Sequence, residues 1–373
     1  MQQKNTAPDW HYGRTELAQS YVTQFDAGLT SARALFGRRR MGKTEFLNMD
    51  LIPVAQKAGY TCIYVNLWEW QANPMDGIRA ASLSALQKQA GILARAFKGG
   101  PQISQIKINV LGTGIDAKLE ETSAGMEALW KHIDAHKSKL LLLIDEAQVL
   151  AADRHKNFSG SLRAGLDVRK ANIKVIFTGS SEQTLRTMFG KPSMAFYNWA
   201  PIEPFPLLDH RFVSHMVTVA NSILQPQYRL QDAPAQAAFL NLKSSPEVFR
   251  RFIESYMVMP FEGMDAAVDA ARARTFSVEG YAVMWAAMPA MDRLLLQFVA
   301  AKKSGITGAS TRKTFGKALG LDEAVALHTI NNALARLLDP KRQMLVKLEL
   351  GTYQFEDQEF ADWVQLEQPF TLS

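Results

Sequence analysis

The chain has 373 residues, and at about 100–200 residues per domain that length predicts two or three domains. Hydrophobic residues make up 47% and charged residues 21%, so a packed core is expected and wholesale disorder is excluded. A formal net charge of +6, from 42 basic and 36 acidic residues, permits contact with nucleic acid or nucleotide phosphates and requires neither, while a single cysteine, Cys62, excludes an internal disulfide framework.

Residues 1–30 predict a leading segment and a helix. Ala32–Phe36 is a short apolar run that ends in glycine, as a buried strand does. Thr44–Ala58 predicts a helix, and Tyr60–Leu67, rich in β-branched and aromatic residues, a second strand. Asp76–Phe97 is Ala- and Leu-rich and predicts a long helix. Ile103, Ile106, Ile108 and Val110 precede Gly112-Thr113-Gly114, and Ile115, Ala117 and Leu119 follow it, which predicts a β-hairpin inserted at about 101–121. A helix to about Lys137 follows. Leu140–Ile144 and Ile173–Thr178 are uninterrupted apolar runs, the pattern of parallel strands buried on both faces. Strands alternating with helices predict an α/β domain with a parallel sheet flanked by helices over 1–206.

After Pro206 the strand signals stop. Asp209–Ala273 predicts helices broken near Pro226, Pro234, Pro246 and Pro260, a helical region over 207–278. From 279 to 373 the pattern predicts helices over Asp292–Lys303, Ser310–Leu319 and Asp322–Leu338, then a hairpin of Leu345–Leu350 and Tyr353–Phe355 around Gly351. Such an arrangement is a winged helix-turn-helix or a small helical cap with a hairpin.

Two motifs carry chemistry. Gly37-Arg38-Arg39-Arg40-Met41-Gly42-Lys43-Thr44 matches the phosphate-binding loop pattern between a predicted strand and a predicted helix. Its glycines let successive backbone N–H groups face phosphates, and the following helix adds its N-terminal dipole. In that setting Lys43 faces the β- and γ-phosphates and the Thr44 hydroxyl ligates Mg²⁺. Arg38, Arg39, Arg40, Met41 and Glu45 are counted in the nucleotide site, the alternative for the arginines being a solvated position. The second motif is the strand Leu140–Ile144 ending in Asp145 and Glu146. Asp145 is expected to hold the metal ion and Glu146 to polarise the attacking water. Thr178 or Ser180, closing the next strand, is expected at the γ-phosphate or the water, or else serves ordinary turn chemistry.

Together these residues resemble the AAA+-like and STAND-type P-loop ATPases, in particular the archaeal-type group that also occurs in bacteria. The resemblance rests on Tyr12-Gly13-Arg14-Thr15-Glu16-Leu17, the loop GRRRMGKT, LLLLIDEAQ, FTGSS, and Ser244–Arg251. The first of these is one residue shorter than the family's motif. The resemblance implies ATP and Mg²⁺ as ligands, a helical lid over 207–278, and a C-terminal winged helix over 279–373. It also implies Arg250 or Arg251 as a sensor arginine, the alternative being a surface charge. Family members often carry an arginine element after the GSS strand. Met194–Trp199 has none, which leaves Arg186 or Arg211 as substitutes.

The expected activity is ATP hydrolysis coupled to conformational change. Two roles stay open. In one the protein acts on duplex DNA through the C-terminal module, whose His328, Asn331, Asn332 and Arg336 are polar and whose Lys341 and Arg342 are basic. In the other it is a signalling or defence switch whose module docks a protein partner. A homo-oligomer fits either role. No apolar run approaches the roughly 20 residues of a membrane span, and MQQKNTAPDW lacks a signal-peptide core, so a cytoplasmic location without membrane contact is expected.

Overall fold

The computed structural model describes residues 9–96, 123–136, 138–278, 280–339, 344–347 and 353–370. The hairpin expected at 101–121, Lys341 and Arg342 lie outside these residues, as does the expected turn around Gly351. The chain divides into two compact units. One holds residues 13–37 and 43–205; the other holds 1–12, 38–42 and 206–373.

The first unit is built on a five-stranded parallel sheet. Its strands are β1 (Ala32–Phe36), β2 (Tyr60–Asn66), β3 (Lys139–Asp145), β4 (Ile173–Gly179) and β5 (Ile202–Pro204). They lie side by side in the order β2-β3-β4-β1-β5. The apolar runs of β3 and β4 occupy the middle of the sheet, and from Leu140 onward β3 is buried, as is all of β4. That burial on both faces is why neither strand alternates. Helices Thr15–Asp26, Pro74–Ala96, Ser123–Asp134, Lys156–Asp167 and Glu182–Gly190 accompany the sheet. Leu142, Ile144, Val175 and Phe177 form the centre of its core with Leu162, Leu166 and Phe189.

Two features differ from expectation. Strand β5 is three residues long and pairs only with β1, so it forms an edge. It ends in Pro204, a residue tolerated on an edge because the missing N–H breaks no interior ladder. The helix expected over Thr44–Ala58 begins at Lys43 and widens into a π-helix over Phe46–Leu51 before resuming over Ile52–Lys57. Pro53 cannot donate to the carbonyl four residues earlier, and a wider turn accommodates that lost bond.

The second unit contains two cores. In the first, helices His210–Asn221, Asp232–Asn241, Pro246–Val258 and Gly263–Val278 pack around Phe212, Phe239, Phe249 and Phe252. In the second, helices Ala290–Ala300, Ala309–Ala318 and Leu327–Leu338 are followed by the antiparallel pair β6 (Leu345–Lys347) and β7 (Tyr353–Phe355) and by helix Gln358–Glu367. Leu295, Phe315, Ile330, Leu334, Phe360 and Trp363 fill its interior.

The third helix of this module starts at Leu327, five residues later than its sequence suggests. Residues 321–326 instead run against helix Ala309–Ala318, with the Val325 amide donating to the Arg312 carbonyl at 3.0 Å. Gly316 makes that approach possible, because a Cβ there would lie 2.1 Å from the Glu323 carbonyl oxygen. Gly316→Ala ordinarily gains about 1 kcal/mol of helix propensity. Here the backbone clash is expected to outweigh it and to lower stability by about 1–3 kcal/mol. Thermal unfolding of the full chain checks this, and an unchanged or raised midpoint would contradict the packing described.

Candidate functional site

The sequence order of the sheet sets the site. Strand β4 lies between β1, which leads into the phosphate loop, and β3, which carries the acidic pair. The Gly37 amide donates to the Gly179 carbonyl at 3.3 Å, so the start of the loop is fixed beside the end of β4. Open α/β sheets bind ligands outside the carboxyl ends of their strands, and every residue of the acidic pair and the loop start lies there.

Lys43 and Thr44 open the helix that follows the loop. Lys43 is buried, 6% exposed, and its Nζ donates to the Gly37 carbonyl at 2.6 Å across the base of the loop. The Thr44 hydroxyl donates to Asp145 Oδ2 at 2.6 Å. Asp145 is 1% exposed, and its two oxygens also accept from the Thr178 hydroxyl, the Tyr64 hydroxyl at 3.1 Å and the Glu146 amide at 3.1 Å. Burial and the Asp145 carboxylate together push the Tyr64 phenol above its ordinary range, so it stays a donor to that carboxylate.

Glu146 adopts a left-handed backbone, φ 54° and ψ 45°, at the start of the 3₁₀ turn Ala147–Ala151. For a residue with a Cβ that conformation costs roughly 1–3 kcal/mol and is held by its surroundings. Ser180 donates to Glu146 Oε2 at 2.9 Å. The structure therefore brings Lys43, Thr44, Asp145, Glu146, Thr178 and Ser180 to one end of the sheet.

The donor set suits a hard cation: a carboxylate and a hydroxyl, all oxygen. Mg²⁺ is such a cation: it takes one or two carboxylates and otherwise relies on phosphates and water.

The tip of the loop, residues 38–42, groups with 206–373. Gly42 has φ 78° and Arg40 φ 64°, so the tip doubles back sharply. Arg38 donates to the Lys243 carbonyl at 3.0 Å and lies 3.5 Å from Asp362. Arg40 lies 3.7 Å from Glu247. Met41 is buried, Arg39 and Glu45 are exposed. Arg251 pairs with Glu247 at 2.7 Å, and Arg250 donates to the Trp10 carbonyl at 2.9 Å. Arg186 pairs with Glu182 and covers the Phe36 ring, and Arg211 pairs with Asp209. In the segment Met194–Trp199, Phe196 and Trp199 pack edge-on against Phe177 in the sheet core.

In the C-terminal module, His328, Asn331 and Asn332 are exposed along helix Leu327–Leu338. Arg336 is exposed on the same helix, and its guanidinium donates to both oxygens of Asp292, which is 1% exposed. Gln148, which closes the run LLLLIDEAQ but has no role assigned from the sequence, donates to both Glu146 and Ser180.

No protein-family model matches the chain, and no curated protein matches it. Among solved structures it is similar to a Walker-type ATPase of Pyrococcus abyssi, at 15% identity and a TM-score of 0.60, over 98% of this chain and 99% of that one. It is also similar to the ORC2 protein of Aeropyrum pernix in its ADP form, at 14% identity and a TM-score of 0.58, over 97% of this chain and 95% of that one. At such identities the likeness shows a shared fold alone, the α/β P-loop fold expected from the motifs. No helix among the described residues is long and apolar enough to cross a membrane.

Proposed function

We propose that this protein is a Mg²⁺-dependent ATPase of the AAA+/STAND-like kind that couples nucleotide state to conformational change. The observation that carries the reading is the 2.6 Å contact between the Thr44 hydroxyl and Asp145, which joins the phosphate loop to the acidic strand through two metal-type oxygens. Lys43 binds and orients the β- and γ-phosphates. Thr44 and Asp145 would hold Mg²⁺, which supplies charge neutralisation at the phosphates. Glu146 takes a proton from the attacking water. Ser180, bonded to Glu146, contacts that water or the γ-phosphate in this reading, which its hydrogen bond to Glu146 supports.

The domains assigned to this activity are the ATPase domain over 1–206, a helical lid over 207–278 and a winged helix over 279–373. The module's exposed His328, Asn331 and Asn332, with Lys313 and Lys317 on the preceding helix, support duplex DNA as its partner. Arg336, exposed on the same helix, is held by its pair with Asp292. Docking of a protein partner is the competing role.

One experiment tests the reading. ATP turnover is measured with Mg²⁺ or with a chelator, with and without duplex DNA, at several salt concentrations. Turnover is expected only with the metal. A DNA-dependent change in rate is expected to fade steeply as salt rises, because phosphate contacts release counterions. Absence of Mg²⁺-dependent turnover overturns the ATPase reading; turnover indifferent to DNA even at low salt transfers the module to a protein partner.

A further inference from the structure

Three side chains at the carboxyl ends of β3 and β4 form one hydrogen-bonded ring. Ser180 Oγ donates to Glu146 Oε2 at 2.9 Å. Gln148 Nε2 donates to Ser180 Oγ at 3.2 Å and also to Glu146 Oε2. The two acceptors lie in similar directions from the amide nitrogen, so the bond to Glu146 Oε2 is the principal one and Ser180 Oγ takes the longer contact. The amide must present its nitrogen here, since its oxygen would oppose a carboxylate.

This contact depends on local backbone geometry. Residues two apart do not face each other on a regular helix. The left-handed Glu146 at the head of the 3₁₀ turn changes the hand of the chain between β3 and Gln148, and the two side chains meet. Gly179 supplies the room, because a Cβ there would lie 2.5 Å from Gln148 Oε1. Both donors engage Oε2 of Glu146. Among the described residues none engages Oε1, which leaves that oxygen to accept a proton.

We propose that Gln148 is a positioning residue for hydrolysis, holding the Glu146 carboxylate by one oxygen so that the other meets the attacking water. The proposal rests on the ATPase reading. In the step it serves, the water oxygen forms a bond to the γ-phosphorus and the bond from that phosphorus to the ADP oxygen breaks. The water's proton passes to Glu146 Oε1, and ADP departs with the bonding pair. A carboxylate displaced by about 1 Å loses on the order of 10²-fold in rate, because proton transfer depends on near-attack geometry.

The test compares Gln148→Ala, Gln148→Met, Glu146→Gln and the double variant Gln148→Ala/Glu146→Gln in the full chain. Methionine keeps the side chain's length and packing and removes the N–H groups, so it reads the hydrogen bonds even where alanine unsettles the fold. Both single Gln148 variants are expected to lower kcat by about 10–10²-fold with KM for ATP unchanged, since only the geometry of the chemical step is lost. In the Glu146→Gln background the alanine change is expected to slow turnover by less than about two-fold, because residues that act as a unit are not additive. A purely structural role would slow both backgrounds equally, and that result overturns the proposal. So does Gln148→Met turning over at the parent's rate while Glu146→Gln is slow. A parent chain without turnover, or Glu146→Gln at full rate, instead overturns the reading of Glu146 as the proton acceptor, and the proposal with it.

Discussion

Turnover of ATP by Glu146→Gln is expected to fall by about 10²–10⁴-fold, the usual worth of a positioned acid or base, while ATP still binds. Glutamine retains the shape of the side chain and an amide in place of the carboxylate, so the contact with Ser180 and the left-handed backbone should survive the change. What it lacks is an oxygen that accepts a proton at neutral pH. Binding depends on residues elsewhere: Lys43, Thr44 and Asp145 share no hydrogen bond with the Glu146 side chain among the described residues. The measurement is a pair of numbers from one preparation, the ATP dissociation constant by calorimetry and the single-turnover rate. A rate near the parent's would remove Glu146 from the chemistry. A lost affinity with an intact fold would place it in binding instead.

Lys43→Ala is expected to weaken ATP binding by at least about 10²-fold. Hydrogen bonds to charged groups are each worth about 1.5–3 kcal/mol, and a lysine that reaches both the β- and γ-phosphates loses two of them. The position magnifies the effect. Lys43 is 6% exposed, so its ammonium acts with little screening by solvent. Its present bond to the Gly37 carbonyl spans the base of the loop and holds the nitrogen inside the turn through which phosphates would pass. Loss of this bond perturbs the loop locally, so thermal unfolding of the variant accompanies the titration. Unchanged affinity in a folded variant would show that the loop does not grip phosphates through Lys43.

These two residues were legible because their motifs are contiguous. A phosphate loop is eight neighbouring residues whose glycines are required by the turn itself, and Gly42 does adopt the positive φ of 78° that the pattern implies. The acidic pair was legible for a related reason. A strand buried on both faces must be apolar along its whole length, so the polarity change at Asp145 marks the carboxyl end of β3 without any knowledge of the fold. Strand β5 left no such mark, since three residues on an edge bury little and include a proline.

The contacts around the pair were less legible. Ser180 is expected near the γ-phosphate or the water from its place at the end of β4, but nothing in composition or periodicity joins it, 34 positions on, or Gln148, two positions on, to the Glu146 carboxylate. The pairing of Arg336 with Asp292, 44 positions apart, was likewise invisible in the sequence. The sequence by itself determined the parallel sheet, the phosphate loop and the carboxylates at its end, because each depends on neighbours in the chain. Only the tertiary structure decided that β4 lies between β1 and β3, that Thr44 touches Asp145, and that Gln148 holds Glu146, because side chains distant in sequence meet only when strand order and backbone hand bring them within hydrogen-bond reach.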